Sequence, residues 1–106
     1  MGLKDIFATP DIDLGVNKCR MTPGGILLDV RPKIEYAAGH VPGSKGVPLK
    51  EIERVEKIIR DKDRPVFVYC TTGGDAHKAI KRMKKMGYTN LENIGGYKYY
   101  NGRVEK

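Results

Sequence analysis

The residues best placed to do chemistry in this chain are Cys70 and the run around it, YCTTGGDAHKA at 69–79. A cysteine ends the apolar run PVFVY and is followed by Thr71, Thr72, Gly73, Gly74, Asp75 and Ala76. Apolar residues at helical spacing then resume at Ala76, Ala79, Ile80, Met83 and Met86. The order strand, cysteine, small-residue loop, helix has a physical consequence. Backbone N–H groups in a tight glycine-containing loop curl toward one point and cradle an anion. A helix starting near Ala76 adds partial positive charge at its first turn. Both favour the thiolate, the nucleophilic form of cysteine. The competing reading is an inert buried cysteine at a strand end, because cysteine is among the most buried residue types. The loop by itself leaves the two readings open.

Positioning such a loop needs strands and helices in alternation. Asp11 or Asp13 is expected to cap a short helix through LGVNKCRM, after a loose lead-in over residues 1–10. Ile26 to Val30 is a short apolar run bounded by turn signals and reads as a buried strand. KGVPL predicts a brief strand stopped by Pro48. Leu49, Ile52, Val55, Ile58 and Ile59 fall at three- and four-residue steps, which predicts one amphipathic helix over 49–61. RPVFVYC at 64–70 is a second buried strand, rich in β-branched and aromatic residues. TNLENIGG supplies one more strand and a glycine turn, and the tyrosine-rich tail is expected to pack on the edge. Strands apolar on both faces, alternating with helices, point to an α/β fold with a parallel sheet covered on both sides. Functional sites in such sheets lie at the carboxyl ends of the strands, and Cys70 sits at one.

With 106 residues the chain suits one domain with its own core. Two cysteines, Cys19 and Cys70, form neither a disulfide framework nor a metal-ligand cluster. Few cysteines and a start without a secretory pattern predict a reducing, cytoplasmic setting. No segment approaches the ~20 apolar residues of a membrane span. The net charge of +7 reads first as a solvated lysine surface. Nucleic-acid binding is a weaker reading, since no aromatic-rich RNA motif or zinc-finger spacing is present.

The upstream stretch DVR…EYAAGHVPGS and the downstream VYCTTGG together resemble the rhodanese-like family. Asp29, Val30 and Arg31 match its first strand motif. Tyr36, Gly39, His40, Val41, Pro42 and Gly43 match its signature turn, with Ser44 where alanine is usual. Cys70 and Gly73 match the active-site loop, and Gly95 and Gly96 its final glycine turn. The resemblance covers about residues 11–104 of a single domain. It implies a central parallel sheet of about five strands with helices on both faces. It also implies a sulfurtransferase: Cys70 takes a sulfane sulfur from a small donor or a protein persulfide, then yields it to a thiophilic acceptor such as a thiol. Residues 71–76 would form the substrate-binding loop. This two-step covalent scheme needs no metal and no organic cofactor.

One departure bears on the substrate. Sulfurtransferases of this type often carry arginine five residues after the cysteine, where this chain has Asp75. An aspartate repels anionic donors, so thiosulfate efficiency is in doubt. Asp75 is also expected to cap the following helix. The related phosphatases place an arginine six residues after the cysteine. Ala76 stands there, so the phosphoryl clamp is missing. The main alternative is a catalytically weak rhodanese-like module that binds a protein partner or senses sulfur species. Asp29 and Arg31, on one face of their strand, are read as an ion pair supporting the loop. His40 is read as a loop-stapling imidazole and His77 as a solvated helix residue. Cys19 is a candidate resolving thiol, with a helix-buried cysteine the stronger reading. Lys78, Lys81, Arg82, Lys84 and Lys85 make one side of the loop helix basic, able to dock an acidic protein partner.

Overall fold

Asp11 opens the first helix. Its carboxylate accepts hydrogen bonds from the Asp13 and Leu14 amides at 3.0 and 3.4 Å, which satisfies two N–H groups that a helix start otherwise leaves free. The computed structural model describes residues 10–106. The lead-in at 1–9 lies outside the described residues. In chain order the elements are α1 (Ile12–Met21), β1 (Ile26–Asp29), α2 (Lys33–Ala38) and β2 (Lys45–Gly46). A 3-10 helix (Leu49–Arg54), α3 (Val55–Ile58), β3 (Val66–Cys70) and α4 (Gly74–Lys85) follow. The chain continues with β4 (Leu91–Gly96) and a last 3-10 turn (Tyr97–Tyr99).

All strand pairs are parallel, in the order β2-β1-β3-β4. Every residue of β1 and β3 is buried, as expected for strands covered on both sides. Period-two alternation divides their side chains between two layers. Leu28, Val30, Val68 and Cys70 pack with Ile52, Val55, Ala76, Ala79 and Met83 on the α4 side. Leu27, Phe67 and Tyr69 pack with Ile12, Val16, Cys19 and Ile94 on the α1 side. Helices therefore cover both faces.

The sheet has four strands among the described residues, where the family resemblance implies about five. The four are those that the apolar pattern itself supplies. Beyond them, the described segments form helices, turns and irregular chain, with one isolated antiparallel bridge between His40 and Glu105.

A second difference concerns residues 49–61. The apolar spacing predicts one amphipathic α-helix. The structure instead has the 3-10 helix, broken at Glu51 (φ −118°, ψ 25°), followed by the four residues of α3. The reason lies in the spacing. Leu49, Ile52 and Val55 are three apart, and three-residue steps align along one edge of a 3-10 helix. Ile52, Val55 and Ile59 are buried, whereas Ile58 is 38% exposed.

Near the site, β4 carries a bulge. Val68 pairs with Asn93 but Tyr69 pairs with Gly95, so Ile94 is the extra residue. Gly95 takes φ +107°, in the left-handed region that favours glycine. The bulge brings Gly96 opposite Cys70.

The two isoleucines test the 3-10 arrangement. Ile52→Ala is expected to lower stability by about 2–5 kcal/mol, as for a fully buried aliphatic residue. Ile58→Ala is expected to lower it by less than about 1 kcal/mol. Urea midpoints of both variants provide the check. Equal losses would mean that both side chains face the core, as in a continuous α-helix.

Candidate active site

Cys70 is the last residue of β3, and its side chain falls on the α4 side of the sheet. It is buried. The chain then turns sharply back so that the Gly73 amide donates to Cys70 Sγ at 2.8 Å. This turn needs Gly73 at φ +107°. A β-carbon there would meet only Gly95 Cα and its carbonyl carbon, at 3.7 and 3.8 Å, which is ordinary contact, so the demand on Gly73 is conformational rather than steric. Gly74 differs. A β-carbon on it meets nothing within 4 Å, and its φ is not in the left-handed region.

Gly73 is also the N-cap of α4, which begins at Gly74 rather than near Ala76. The amides of Gly74, Asp75 and Ala76 are consequently the free first-turn donors of a 12-residue helix. Their partial positive charge lies at the loop that holds the sulfur. Thr71 and Thr72 are exposed and Ala76 is buried.

Asp75 is not a cap. It sits in the first turn of α4, is exposed, and the helix start has no side-chain capping bond. The physical reason is the early helix start, which puts Asp75 inside the helix and gives the cap position to a glycine. Its charge still complements the helix dipole. A second carboxylate reaches the loop from α2: Thr71 Oγ1 donates to Glu35 Oε1 at 2.9 Å. Glu35 has no signature in the sequence, because nothing local indicates that α2 folds toward the loop after β3.

Two further residues shape the loop from β4. Asn93 Nδ2 donates to the Gly73 carbonyl at 3.0 Å, and Asn93 Oδ1 accepts from the Gly95 amide at 2.9 Å. One side-chain amide thus ties the bulge to the cysteine turn. A β-carbon on Gly96 would come within 2.5 Å of the Thr71 carbonyl oxygen and 2.7 Å of Thr72 Cα. The loop therefore lies flat against β4. The Asn preceding Ile-Gly-Gly is the only sequence signal for this contact.

Asp29 and Arg31 meet on the other face of the sheet. Arg31 Nε lies 3.1 and 3.0 Å from the two Asp29 oxygens, and its terminal nitrogen donates to Asp29 Oδ2 at 2.8 Å. The same nitrogen donates to the Gly39 carbonyl at 2.6 Å. The guanidinium carbon sits 4.0 Å from the centre of the Tyr97 ring. Burial works against the charge of Arg31, and the Asp29 carboxylate outweighs it, so the guanidinium is held above its ordinary pKa. The pair joins β1 to the turn at 39–44 and to the tail, with no direct bond to the Cys70 loop.

That turn has its own anchors. The Tyr69 hydroxyl accepts from the Val41 amide at 3.1 Å and lies 3.2 Å from Ser44 Oγ. Ser44, in place of the usual alanine, thereby gives this buried phenol a polar neighbour. Burial, followed by the Asp29 charge, pushes the Tyr69 phenol above its usual range. His40 stacks on Tyr36 with ring centroids 3.8 Å apart. Its Nδ1 lies 2.8 Å from the Tyr36 carbonyl and its Nε2 3.3 Å from Glu105 Oε1. The imidazole staples the turn to the tail. His77 is exposed on α4.

Cys19 lies in the α1 layer, across the sheet from Cys70. It is buried, and burial pushes its thiol up to about 11, with Arg20 opposing only in part. This placement agrees with the helix-buried reading of Cys19 and goes against the weaker one, a resolving thiol. No group of three or more His, Cys, Asp or Glu among the described residues is arranged to hold a metal ion. No helix among them is long and apolar enough to cross a membrane.

A parallel α/β sheet with a cysteine at the carboxyl end of a central strand, under a helix start, defines a class that known proteins share. The sequence profile of the rhodanese-like domain matches residues 13–102, and the chain belongs to that family. Its relatives include sulfurtransferases and a protein named as a putative sulfur carrier. It is 42% identical over 72 residues to the thiosulfate sulfurtransferase PspE of Escherichia coli, spanning 67% of this chain and 69% of PspE. It is 31% identical over 80 residues to a putative sulfur carrier protein, YrkF, of Bacillus subtilis, covering 74% of this chain and 43% of YrkF. Of the adenylyltransferase and sulfurtransferase uba4 of Ogataea parapolymorpha the match spans 21%. Among solved structures, a rhodanese from E. coli determined with anions superposes with a TM-score of 0.71 at 38% identity, covering 76% of this chain and 96% of that one. The BH2092 protein of Bacillus halodurans gives a TM-score of 0.74 at 28% identity, covering 97% of this chain and 80% of that one.

The Asn93 bridge makes a specific expectation. Asn93→Ala removes a donor and an acceptor at once and should lower stability by about 1–3 kcal/mol. It should also speed hydrogen exchange at residues 71–76 more than in β1. Asn93→Asp keeps the acceptor for Gly95 but places a carboxylate against the Gly73 carbonyl, so exchange in the loop should stay fast. Unchanged exchange in both variants would show that the loop holds its shape without the bridge.

Proposed function

We propose that this chain moves a sulfane sulfur through a persulfide on Cys70, as one rhodanese-like unit with its core at about 11–104. The Cys70 thiolate attacks the outer sulfur of the donor. A new S–S bond forms on Cys70, the donor's S–S bond breaks, and the leaving group departs with the electron pair, as sulfite from thiosulfate or as a thiolate from a persulfide. A thiophilic acceptor, such as a thiolate, then attacks the outer sulfur of the persulfide and returns Cys70 as thiolate. Electrons balance without an external oxidant, and neither step calls on a metal or an organic cofactor.

The observation that carries this reading is the Gly73 amide at 2.8 Å from Cys70 Sγ, at the start of α4. In the proposal residues 71–76 form the binding loop, and the free amides of Gly74, Asp75 and Ala76 supply further donors for the outer sulfur. Asp29 and Arg31 act at a distance, by fixing the turn and tail beside the sheet edge.

Donor choice follows from charge. The relative PspE is named for thiosulfate. In this chain Asp75 and Glu35 bring two carboxylates to the loop. Both oppose an anionic donor, so a neutral or protein-borne persulfide is the better substrate.

The test of the persulfide is intact mass after exposure to a sulfane donor. The wild-type protein should gain one sulfur, mapped to the peptide holding Cys70, and Cys70→Ser should gain none. Cys19 should stay unmodified below about pH 9, because its protonated thiol is a poor nucleophile. Wild-type sulfur loading in Cys70→Ser would overturn the assignment.

Asp75 can be tested separately. At about 7 Å and an effective dielectric near 40, one unit charge is worth roughly 1 kcal/mol. Asp75→Arg changes the charge by two units and should raise thiosulfate turnover about tenfold to thirtyfold, with the larger gain at low salt. Asp75→Asn should fall between the two. The loss in stability should stay under about 1 kcal/mol, since a dipole contact rather than a cap is removed. Thiosulfate rates no higher than wild type in both folded variants would show that this carboxylate does not act on the donor.

A further inference from the structure

Among the described residues, the outer face of α4 carries a line of cations that no ion pair uses. Lys78, Lys81 and Lys85 recur at steps of three and four and share one face of the helix. Ala76, Ala79, Ile80 and Met83 occupy the opposite, buried face. All three lysines are exposed, and among the described residues none forms a salt bridge. Arg82, on the flank, is engaged differently: it bonds Glu53 at 3.2 Å and the Leu49 carbonyl at 3.3 Å. The free lysines span about 10 Å of helix. Their line continues through Gly74, four residues before Lys78, where a β-carbon would meet nothing within 4 Å. The basic crest therefore runs, over open space, to the loop that holds Cys70.

We propose that this crest docks an acidic protein segment that brings sulfur to Cys70 or takes it away. The inference rests on the persulfide reading for its purpose, and on the crest alone for the docking. It accounts for a combination that is otherwise contradictory. The chain has a net charge of +7, yet the residues at its reactive loop include Asp75 and Glu35. A small anion meets these carboxylates at the sulfur itself. A protein segment can instead lay its carboxylates on Lys78, Lys81 and Lys85 while an uncharged arm with the persulfide or thiol reaches the loop. A nucleic acid fits less well. Its phosphates are continuous, and at the loop end of the crest they meet the charge of Asp75.

Two short synthetic peptides provide the probe, each with a single cysteine persulfide, one flanked by four glutamates and the other by four glutamines. Twins with serine in place of cysteine report binding alone, by fluorescence anisotropy. The glutamate peptide is expected to bind and to load Cys70 about tenfold better at low salt, with the advantage lost at high salt. The triple variant Lys78→Gln, Lys81→Gln, Lys85→Gln should reduce the preference to less than about twofold while leaving loading from the glutamine peptide unchanged. A control variant with the same loss of charge elsewhere, Lys45→Gln, Lys57→Gln, Arg103→Gln, should keep it. Equal binding of the two serine peptides, or an equal loss in the control, overturns the crest as a docking site. A single-stranded RNA of matched charge that binds more tightly than the glutamate peptide through the same lysines overturns an acidic protein as the partner. Intact glutamate preference in binding, with no sulfur reaching Cys70 from either persulfide, overturns the persulfide reading and leaves the docking standing.

Discussion

The buried pair of Asp29 and Arg31 is the interaction on which much of the architecture depends. An ion pair out of water is stabilising only when its geometry is good and its remaining donors are satisfied. Here both Asp29 oxygens are engaged, the Arg31 amide also donates to Asp29 at 2.9 Å, and a terminal guanidinium nitrogen reaches the Gly39 carbonyl. The flat face of the guanidinium lies over Tyr97. One charge pair thereby fixes three separate pieces of chain: the end of β1, the turn after α2, and the tail after β4. A lysine could not replace this arginine, because it offers a point charge without a plane or a fork. Removing either partner leaves an unpaired buried charge and releases all three pieces together.

The cysteine loop depends on a different constraint, a shortage of space. Its backbone crosses β4 so closely that Gly96 has no room for a side chain. The bulge at Ile94 is what brings Gly96 opposite Cys70. Asn93 then closes the gap between bulge and loop with two hydrogen bonds from one side chain. The Gly73 amide can point at Cys70 only because Gly73 adopts a left-handed conformation, and its carbonyl is held from behind by Asn93. Glycine at 73 and 96 and asparagine at 93 thus form one device, although they come from two different elements.

Much of this was legible from the residues. The strands at 26–30 and 64–70 announce themselves through unbroken apolar runs, and the helix after Cys70 through the spacing of Ala76, Ala79, Ile80 and Met83. What was hidden falls into two kinds. At 49–61 the same apolar residues suit an α-helix or a 3-10 helix, and the choice is made by packing rather than by period. The Asp29–Arg31 pair itself could be read from the strand, but for Glu35, Asn93 and the contacts of Arg31 with Gly39 and Tyr97 the missing information is which loops meet at the sheet edge, and that is decided by topology. The helix boundary before Asp75 belongs with these. Aspartate is an excellent cap in isolation, but the turn needs a left-handed glycine at 73, and the helix begins as soon as that turn ends.

Parity along β3 explains how one short strand serves structure and chemistry together. Successive side chains point to opposite faces, so Tyr69 and Cys70 cannot share a layer. Tyr69 faces the α1 side, where its hydroxyl anchors the turn at Val41 and Ser44. Cys70 faces the α4 side, where the free amides of a helix start are available. A one-residue slip in register would exchange the two. The phenol would then lie under the helix start, and the thiol among aromatic rings in the layer where burial pushes the Cys19 thiol up to about 11. The register is held by pairs on both sides of β3, from Ile26–Val66 through Asp29–Tyr69 on one edge and by Cys70–Gly96 on the other. The sheet is therefore part of the site, because its register decides which face of the protein presents the Cys70 thiol.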